Sequence, residues 1–205
     1  ASVRARTMSD VPIGVFLSGG VDSSAIAALL SADMPRGALQ TFSVAFDDPS
    51  FDESAYAHAV AAALGTTHHV RRFSESDLLE LVPAMMSHMD EPFGDESLLP
   101  THLLSKFTRE HVKVALGGDG GDELFLGYET FRADALAGAY ARLPRPLQRV
   151  AERVVAALPV RTSNFSLDFV AKSFVRGAGA GGVERHVRWL SSFLPDAGPQ
   201  PLAAG

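Results

Sequence analysis

Two glycine-rich strings, each set at the end of a short apolar run, limit how this chain can fold. The first, Ser18-Gly19-Gly20-Val21-Asp22-Ser23-Ser24, follows the largely apolar stretch Val11 to Leu17 and opens an alanine-rich helical pattern over Val21 to Leu30. The second, Gly117-Gly118-Asp119-Gly120-Gly121-Asp122-Glu123, follows Val112 to Leu116. Apolar runs this short suit strands buried on both faces. Between the two strings the alternation continues. Strands are expected over Leu39 to Phe46 and His69 to Phe73. Helices are expected over Glu53 to Leu64 with Gly65 as the stop, from Ser74 toward Met89, and over Thr101 to Glu110. Asp90 to Ser97 reads as a loop. The alternation predicts an α/β fold, a doubly wound parallel sheet with right-handed crossovers. Beyond Ala133 the sequence reads as helices broken by Pro144, Pro146, Pro159 and the cluster Gly177–Gly182, without a convincing strand. The expected organisation is an α/β domain over residues 1–130 and the start of a helical subdomain over 131–205.

Charge follows the same division. Residues 1–130 carry 8 basic and 19 acidic side chains and residues 131–205 carry 10 and 5, within a net charge of −6. A basic half can signal a nucleic-acid surface. Here Arg142, Arg145, Arg149 and Arg153 recur at helical spacing without interleaved aromatics, which fits a solvated helix face turned toward the acidic half. No nucleic-acid partner is expected. The chain has no cysteine, which excludes disulfides, thiolate zinc sites and a cysteine nucleophile within it. Apolar runs such as Val60 to Leu64 are far too short to span a bilayer, and nothing has the form of a signal peptide. No membrane partner and a cytoplasmic location follow as expectations. The chain starts without methionine and stops in the proline- and alanine-rich tail Pro199–Gly205, so it reads as an excised piece.

The chemistry sits in the two strings. In the first, Gly19 and Gly20 let the backbone approach an anion, Ser18, Ser23 and Ser24 supply hydroxyls, and the following helix adds unpaired N–H groups and a favourable dipole. That combination suits a phosphate. The string lacks the Gly-Lys-Ser/Thr of Walker-type loops, so no lysine reaches the β- and γ-phosphates. Asp22 would repel phosphate unless a cation bridged the two, and Mg²⁺ prefers carboxylate, phosphate and water oxygens. A pyrophosphate held with Mg²⁺ is the expected ligand. In the second string, glycines permit close backbone approach, while Asp119, Asp122 and Glu123 offer a metal ligand, a base or an electrostatic clamp for an amine. Ligands of doubly wound sheets bind beyond the carboxyl ends of the strands, at the topological switch point, so both strings are expected to face one crevice.

The run Phe16-Leu17-Ser18-Gly19-Gly20-Val21-Asp22-Ser23-Ser24 resembles the signature of the ATP-pyrophosphatase (PP-loop) family, which cleaves ATP between its α- and β-phosphates. Thr41-Phe42-Ser43-Val44, Asp90-Glu91-Pro92-Phe93, Val112 to Phe125 and Gly127-Tyr128 then follow in the order seen in the asparagine synthetase family, glutamine-hydrolysing type. The similarity covers nearly all of residues 8–195, including Ser166 to Phe169 and Arg185 to Phe193. It implies a PP-loop (adenine nucleotide alpha hydrolase-like) sheet with a partial C-terminal helical subdomain. By resemblance, Leu17 and Val44 contact adenosine through backbone and apolar atoms. Ser18, Gly19, Gly20, Asp22, Ser23 and Ser24 hold pyrophosphate, Asp22 and Asp122 lie near Mg²⁺, and Gly117 and Gly118 line the nucleotide. Gly117 stands where many members have serine, so its implied contact is a backbone one. Asp119 falls where the family has an acidic residue at the reacting centre, and Asp119 and Asp122 are the candidate catalytic pair. The implied reaction is attack of the aspartate β-carboxylate on the α-phosphorus of ATP, giving β-aspartyl-AMP and pyrophosphate, after which ammonia displaces AMP.

The family's N-terminal glutaminase domain has no counterpart here, nor does its later segment with a lysine that helps adenylation, because Lys172 does not lie in a matching motif. Poor turnover of the isolated piece is expected, and a homodimer is compatible with the family. The alternatives are a relative adenylating another carboxylate, such as a β-lactam synthetase or another amidotransferase, a non-catalytic nucleotide-binding module, and a tRNA-thiolating PP-loop enzyme. Retention of Asp22, Asp119 and Asp122 argues against the non-catalytic module, and the acidic first half against the tRNA enzyme. Among the remaining residues, His68-His69 are strand neighbours expected on opposite faces, structural and not a metal pair. His58, His88, His102 and His111 show no ligand spacing. Asp95-Glu96-Ser97 is a candidate on the substrate side, and Met85, Met86 and Met89 are expected to fill core.

Overall fold

The structure is a computed structural model that describes residues 2–91, 95, 97–160 and 166–190. The chain divides into two compact units, Ala1–Gly121 and Asp122–Gly205. In the first unit a four-stranded sheet is built from β1 (Ile13–Phe16), β2 (Gln40–Phe46), β3 (Thr67–Phe73) and β4 (Val114–Leu116), in the order β3-β2-β1-β4 with every pairing parallel. The chain moves outward from β1 to β3, then returns to lay β4 on the free side of β1. The order therefore reverses between β1 and β4, which is the switch point that a doubly wound sheet offers to a ligand.

Helices cover both faces because successive strand side chains point to opposite sides. Val15 and Leu17 pack with Ala27 and Leu30 of α2 (Val21–Ser31) and with Ala57 and Ala61 of α3 (Ser54–Leu64). On the opposite face Phe42 packs with Phe107 of α5 (Leu98–Thr108) and with Val112, flanked by Phe16 and Leu104. The alanines of α2 and α3 bring those helices close to the sheet. Phe42 is fully buried, and a Cβ added at Gly14 would stand 2.5 Å from its ring, so glycine at position 14 is a packing requirement. One stop signal and one start signal act as the sequence predicts. Gly65 closes α3 at φ 67°, and Ser74 forms a reciprocal capping box with Asp77 at the start of α4 (Glu75–His88). A short α1 (Ser2–Ala5) precedes the sheet.

Some boundaries differ from those expected. Helix α5 starts at Leu98, three residues before Thr101, with the Ser97 N–H held 2.8 Å from the Asp95 carboxylate. Strand β3 begins at Thr67, because Gln40–Phe46 supplies a full-length parallel partner. The loop expected over Gly117 to Glu123 becomes helical at Gly121, where α6 (Gly121–Phe125) starts. Met85 is buried as expected, but Met86 is 59% exposed, one position round the helix from the packed face. Pro92, Phe93 and Glu96, the segment Arg161 to Phe165 and the residues from Ser191 onward lie outside the described residues.

The second unit contains α7 (Glu129–Tyr140), α8 (Arg145–Ala156), α9 (Leu167–Ala178) and α10 (Gly182–Leu190), without a strand among its described residues. Tyr140 meets Phe174 edge-to-face with ring centroids 5.7 Å apart, and Phe174 stacks on Trp189 at 6.2 Å. Gly177, expected to break a helix, lies inside α9, and a side chain there would collide with the Trp189 indole. Arg185 donates to the Asp134 carboxylate at 2.6 Å, and the buried Gln148 amide donates to the Leu143 carbonyl at 2.8 Å. No helix among the described residues is long and apolar enough to cross a membrane.

Candidate functional site

The first glycine-rich string is a turn between β1 and α2 that its own serines hold in shape. Ser23 Oγ accepts the Ser18 N–H at 3.3 Å, lies 3.0 Å from Ser18 Oγ and donates to the Gly20 carbonyl at 3.2 Å. Ser18 Oγ also accepts the Gly20 N–H at 3.2 Å. Ser23 is buried, so its hydroxyl braces the turn, while Ser18 is exposed. Gly20 is the N-cap of α2 and brings no side-chain acceptor, which leaves the first-turn N–H groups without a side-chain cap and with the helix dipole behind them. Gly19 has φ 87°, and a Cβ there would stand 2.5 Å from Tyr56 Cβ and 2.6 Å from the Ala57 nitrogen. Only glycine fits that conformation and that contact. Ser24 Oγ is buried and has no partner among the described residues, which makes it a free donor at the base of the helix turn.

The second string reaches the first inside the same unit. A Cβ at Gly118 would lie 3.0 Å from the Ser23 nitrogen and 3.1 Å from Asp22 Cβ, so the two backbones are nearly in contact. A side chain at Gly121 would collide with the Asp22 carboxyl group, and one at Gly117 would collide with the Asp119 carboxylate. These glycines are spaces in which carboxylates sit. Asp22 is half-buried and Asp119 exposed. Leu17 is buried in the core with its N–H bonded to the Phe42 carbonyl at 2.8 Å, so its side chain is committed to packing. Val44 is half-buried in β2.

Asp122 belongs to the second unit, where Gly127 leaves room for its carboxyl group and donates its N–H to the Asp122 carbonyl at 3.0 Å. Glu123 receives a 2.6 Å hydrogen bond from the Tyr128 hydroxyl, which holds its carboxyl below the ordinary range and raises the phenol. That bond separates Glu123 from Asp119 and Asp122, whose carboxylates carry no such partner among the described residues. Lys172 donates to the Leu158 carbonyl at 2.9 Å and stands 3.8 Å from Asp168, a local structural tie. Asp95 is occupied by the Ser97 N–H, and Glu96 lies outside the described residues. Tyr56 and Ala57, which back Gly19, carry no local sequence signal and emerge only from packing. Gly121 did carry one, as part of a string with more glycine than a surface turn needs.

Among the described residues no group of three or more histidine, aspartate or glutamate side chains is arranged around a metal. The donor set does fit Mg²⁺. That ion keeps several waters and takes one or two carboxylates plus substrate phosphates, and Asp22 presents such a carboxylate in the gap beside Gly121 at the foot of the Ser18–Ser24 turn.

Comparison with known proteins places the chain in a family. The family described as asparagine synthase matches residues 1–191. A putative glutamine-hydrolyzing asparagine synthetase of Mycobacterium tuberculosis is 39% identical over 158 residues, 77% of this chain and 24% of the relative. Asparagine synthetase [glutamine-hydrolyzing] 1 of Bacillus subtilis is 37% identical over 77% of this chain and 25% of its own length. A putative asparagine synthetase of Methanocaldococcus jannaschii is 39% identical over 78% of this chain and 30% of its own. The chain thus spans between about a quarter and a third of the length of these relatives.

Proposed function

The chain belongs to the asparagine synthase family, and from that premise we propose that it is the ATP-using part of an amide ligase that converts aspartate to asparagine. The observation that carries the reading is the near-contact of the two glycine-rich strings at the β1/β4 switch point, where Gly118 and Gly121 close on Asp22 and Ser23. Residues 1–130 are the nucleotide-binding domain in this reading and 131–205 the start of a helical subdomain.

ATP lies across the carboxyl ends of β1, β2 and β4. Leu17 meets adenosine through its backbone and Val44 through apolar atoms, Gly117 and Gly118 line the nucleotide, and Ser18, Gly19, Gly20, Asp22, Ser23 and Ser24 surround the pyrophosphate. Ser23 acts by shaping the turn, and the uncapped N–H groups of α2 supply the direct donors. Asp22 would hold Mg²⁺, which would supply charge neutralisation when bound, with Asp122 as the second carboxylate that the family resemblance implies. A β-carboxylate oxygen of aspartate attacks the α-phosphorus, the bond to the bridging oxygen breaks, and pyrophosphate leaves. Ammonia then adds to the acyl carbon of β-aspartyl-AMP, and AMP departs. Asp119, exposed at the mouth of the same crevice, orients the nitrogen nucleophile, accepts its proton or organises the adenylation step. An N-terminal glutaminase domain supplies the ammonia, and the whole acts in the cytoplasm, with a homodimer compatible.

The test is pyrophosphate release against melting temperature for Asp119→Asn and Asp122→Asn in the full-length protein. Loss of several kcal/mol of transition-state stabilisation lowers turnover on the order of a thousandfold, with little change in melting. Near-normal turnover, release of ADP and orthophosphate, or a loss explained by unfolding refutes the assignment.

A further inference from the structure

The paired histidines of β3 take no part in the chemistry above, yet they are built very differently. His68 faces the α3 side of the sheet. Its Nδ1 lies 2.9 Å from Thr41 Oγ1 and its Nε2 lies 3.1 Å from Ser43 Oγ, so one ring bridges two alternate residues of the neighbouring strand. Thr41 Oγ1 continues the chain to Thr66 Oγ1 at 2.9 Å. Thr41 and Ser43 are 0% and 5% exposed, so water does not replace the ring as their partner. A neutral imidazole donates from one nitrogen and accepts at the other, and hydroxyls do both, so the chain Thr66–Thr41–His68–Ser43 is satisfied end to end. The ring of His58, on α3, lies 6.3 Å from that of His68. Just before His58 come Tyr56 and Ala57, the residues packed on Gly19.

His69 turns to the other face. It stacks on Phe42 at 5.0 Å with planes 12° apart and stands 4.3 Å from the ring of His111. Its Nε2 is buried without a partner. It packs, whereas His68 ties.

We propose that His68 is a positioning residue for nucleotide binding. It fixes Ser43 immediately before Val44, and it lies beneath the part of α3 that backs Gly19, so the base-facing strand and the anion-binding turn keep a common register. The inference rests on the nucleotide reading given above. His69, its neighbour on the same strand, is the control for simple destabilisation.

The experiment compares His68→Phe and His69→Phe in the full-length protein, measuring Mg²⁺–ATP affinity by calorimetry and melting temperature together. Both variants should melt lower. His68→Phe should weaken ATP by about tenfold, while His69→Phe stays within about twofold of the unaltered protein. His68→Gln, which keeps a nitrogen on the Ser43 side, should recover most of the affinity. Unchanged affinity in His68→Phe, or equal losses in the two phenylalanine variants, overturns the proposal. If His68→Phe fails to fold, Ser43→Ala removes the Nε2 partner and leaves the ring, and unchanged ATP affinity there overturns it equally. An unaltered protein that binds no ATP refutes the nucleotide reading and this inference with it, an outcome distinct from the others.

Discussion

The two units bury different things. The first buries large apolar side chains on both faces of a sheet, with Phe42, Leu17, Leu30, Leu39 and Val15 each at most 2% exposed. In the second, the described apolar residues that are fully buried are alanines, Ala137 and Ala178, joined by the polar Gln148, Ser166 and Asp168. The rings of Tyr140, Phe174 and Trp189 are only half-buried, and many of the unit's aliphatic side chains are exposed. Leu147, Val150 and Val154 recur at helical spacing along α8 and are 54%, 55% and 60% exposed. Position is therefore specified by packing in the first unit and by a few polar ties and one aromatic stack in the second. A site that must hold two loops to within a few tenths of an ångström belongs on the first kind of scaffold.

The sharpest way to break the contrast is Phe42→Ala. Truncating a buried phenylalanine costs about 3–5 kcal/mol, which should remove most of the first unit's stability. Trp189 is the single tryptophan and sits in the second unit, so its fluorescence follows that unit alone while far-ultraviolet circular dichroism follows both. Separate transitions support the contrast, and one shared transition breaks it. Next comes Gly19→Ala. The left-handed conformation costs a side-chain-bearing residue ~1–2 kcal/mol, and the added Cβ meets Tyr56 and Ala57, so melting should fall and ATP affinity with it. Normal affinity in calorimetry would show that the turn tolerates distortion.

Acid should act next, and on the first unit. Burial, reinforced by the neighbouring His58, holds His68 below its ordinary 6.5, and burial with His111 does the same for His69. The unfolded chain takes up protons at the ordinary value while the folded one resists. Stability is thus full above pH 6.5 and is lost as pH falls below it. Melting temperatures followed from neutral to mildly acid pH should show this decline, flattened in the double variant His68→Phe, His69→Phe. The smallest effect is expected from Leu147→Ala on α8. An exposed side chain away from special features changes stability by about 0.5 kcal/mol or less. A larger loss in chemical denaturation would mean that α8 is packed against something in solution.

Much of the first unit could be read from sequence because its signals are local and redundant. Gly65 and Ser74 mark helix ends by backbone and side-chain chemistry that needs no distant partner, and both act as expected. The opposite facing of His68 and His69 follows from strand geometry alone. What could not be read is tertiary. Nothing near Tyr56 announces that it backs Gly19. The Ser23 hydroxyl also donates to the Gly20 carbonyl, a brace of the turn that the string alone does not announce. Gly177 looked like a helix breaker, yet it lies in α9 because Trp189 occupies the space of its missing side chain. A glycine's local cost in a helix is only about 1 kcal/mol, and a packed indole outweighs it.

Strand order also dictates when the site can exist. The pairing of β1 with β4, Gly14 opposite Ala115, closes a loop that runs almost the whole length of the first unit. Loop closure becomes entropically harder with length, and non-local pairings form late. A chain emerging from synthesis presents the Ser18–Ser24 turn long before Gly118 and Gly121 arrive to complete the crevice. Any ligand that needs both walls binds only the finished sheet, and by mass action it then stabilises that last pairing. On the proposed function, ATP is thus a folding partner for the β1/β4 seam as well as a substrate.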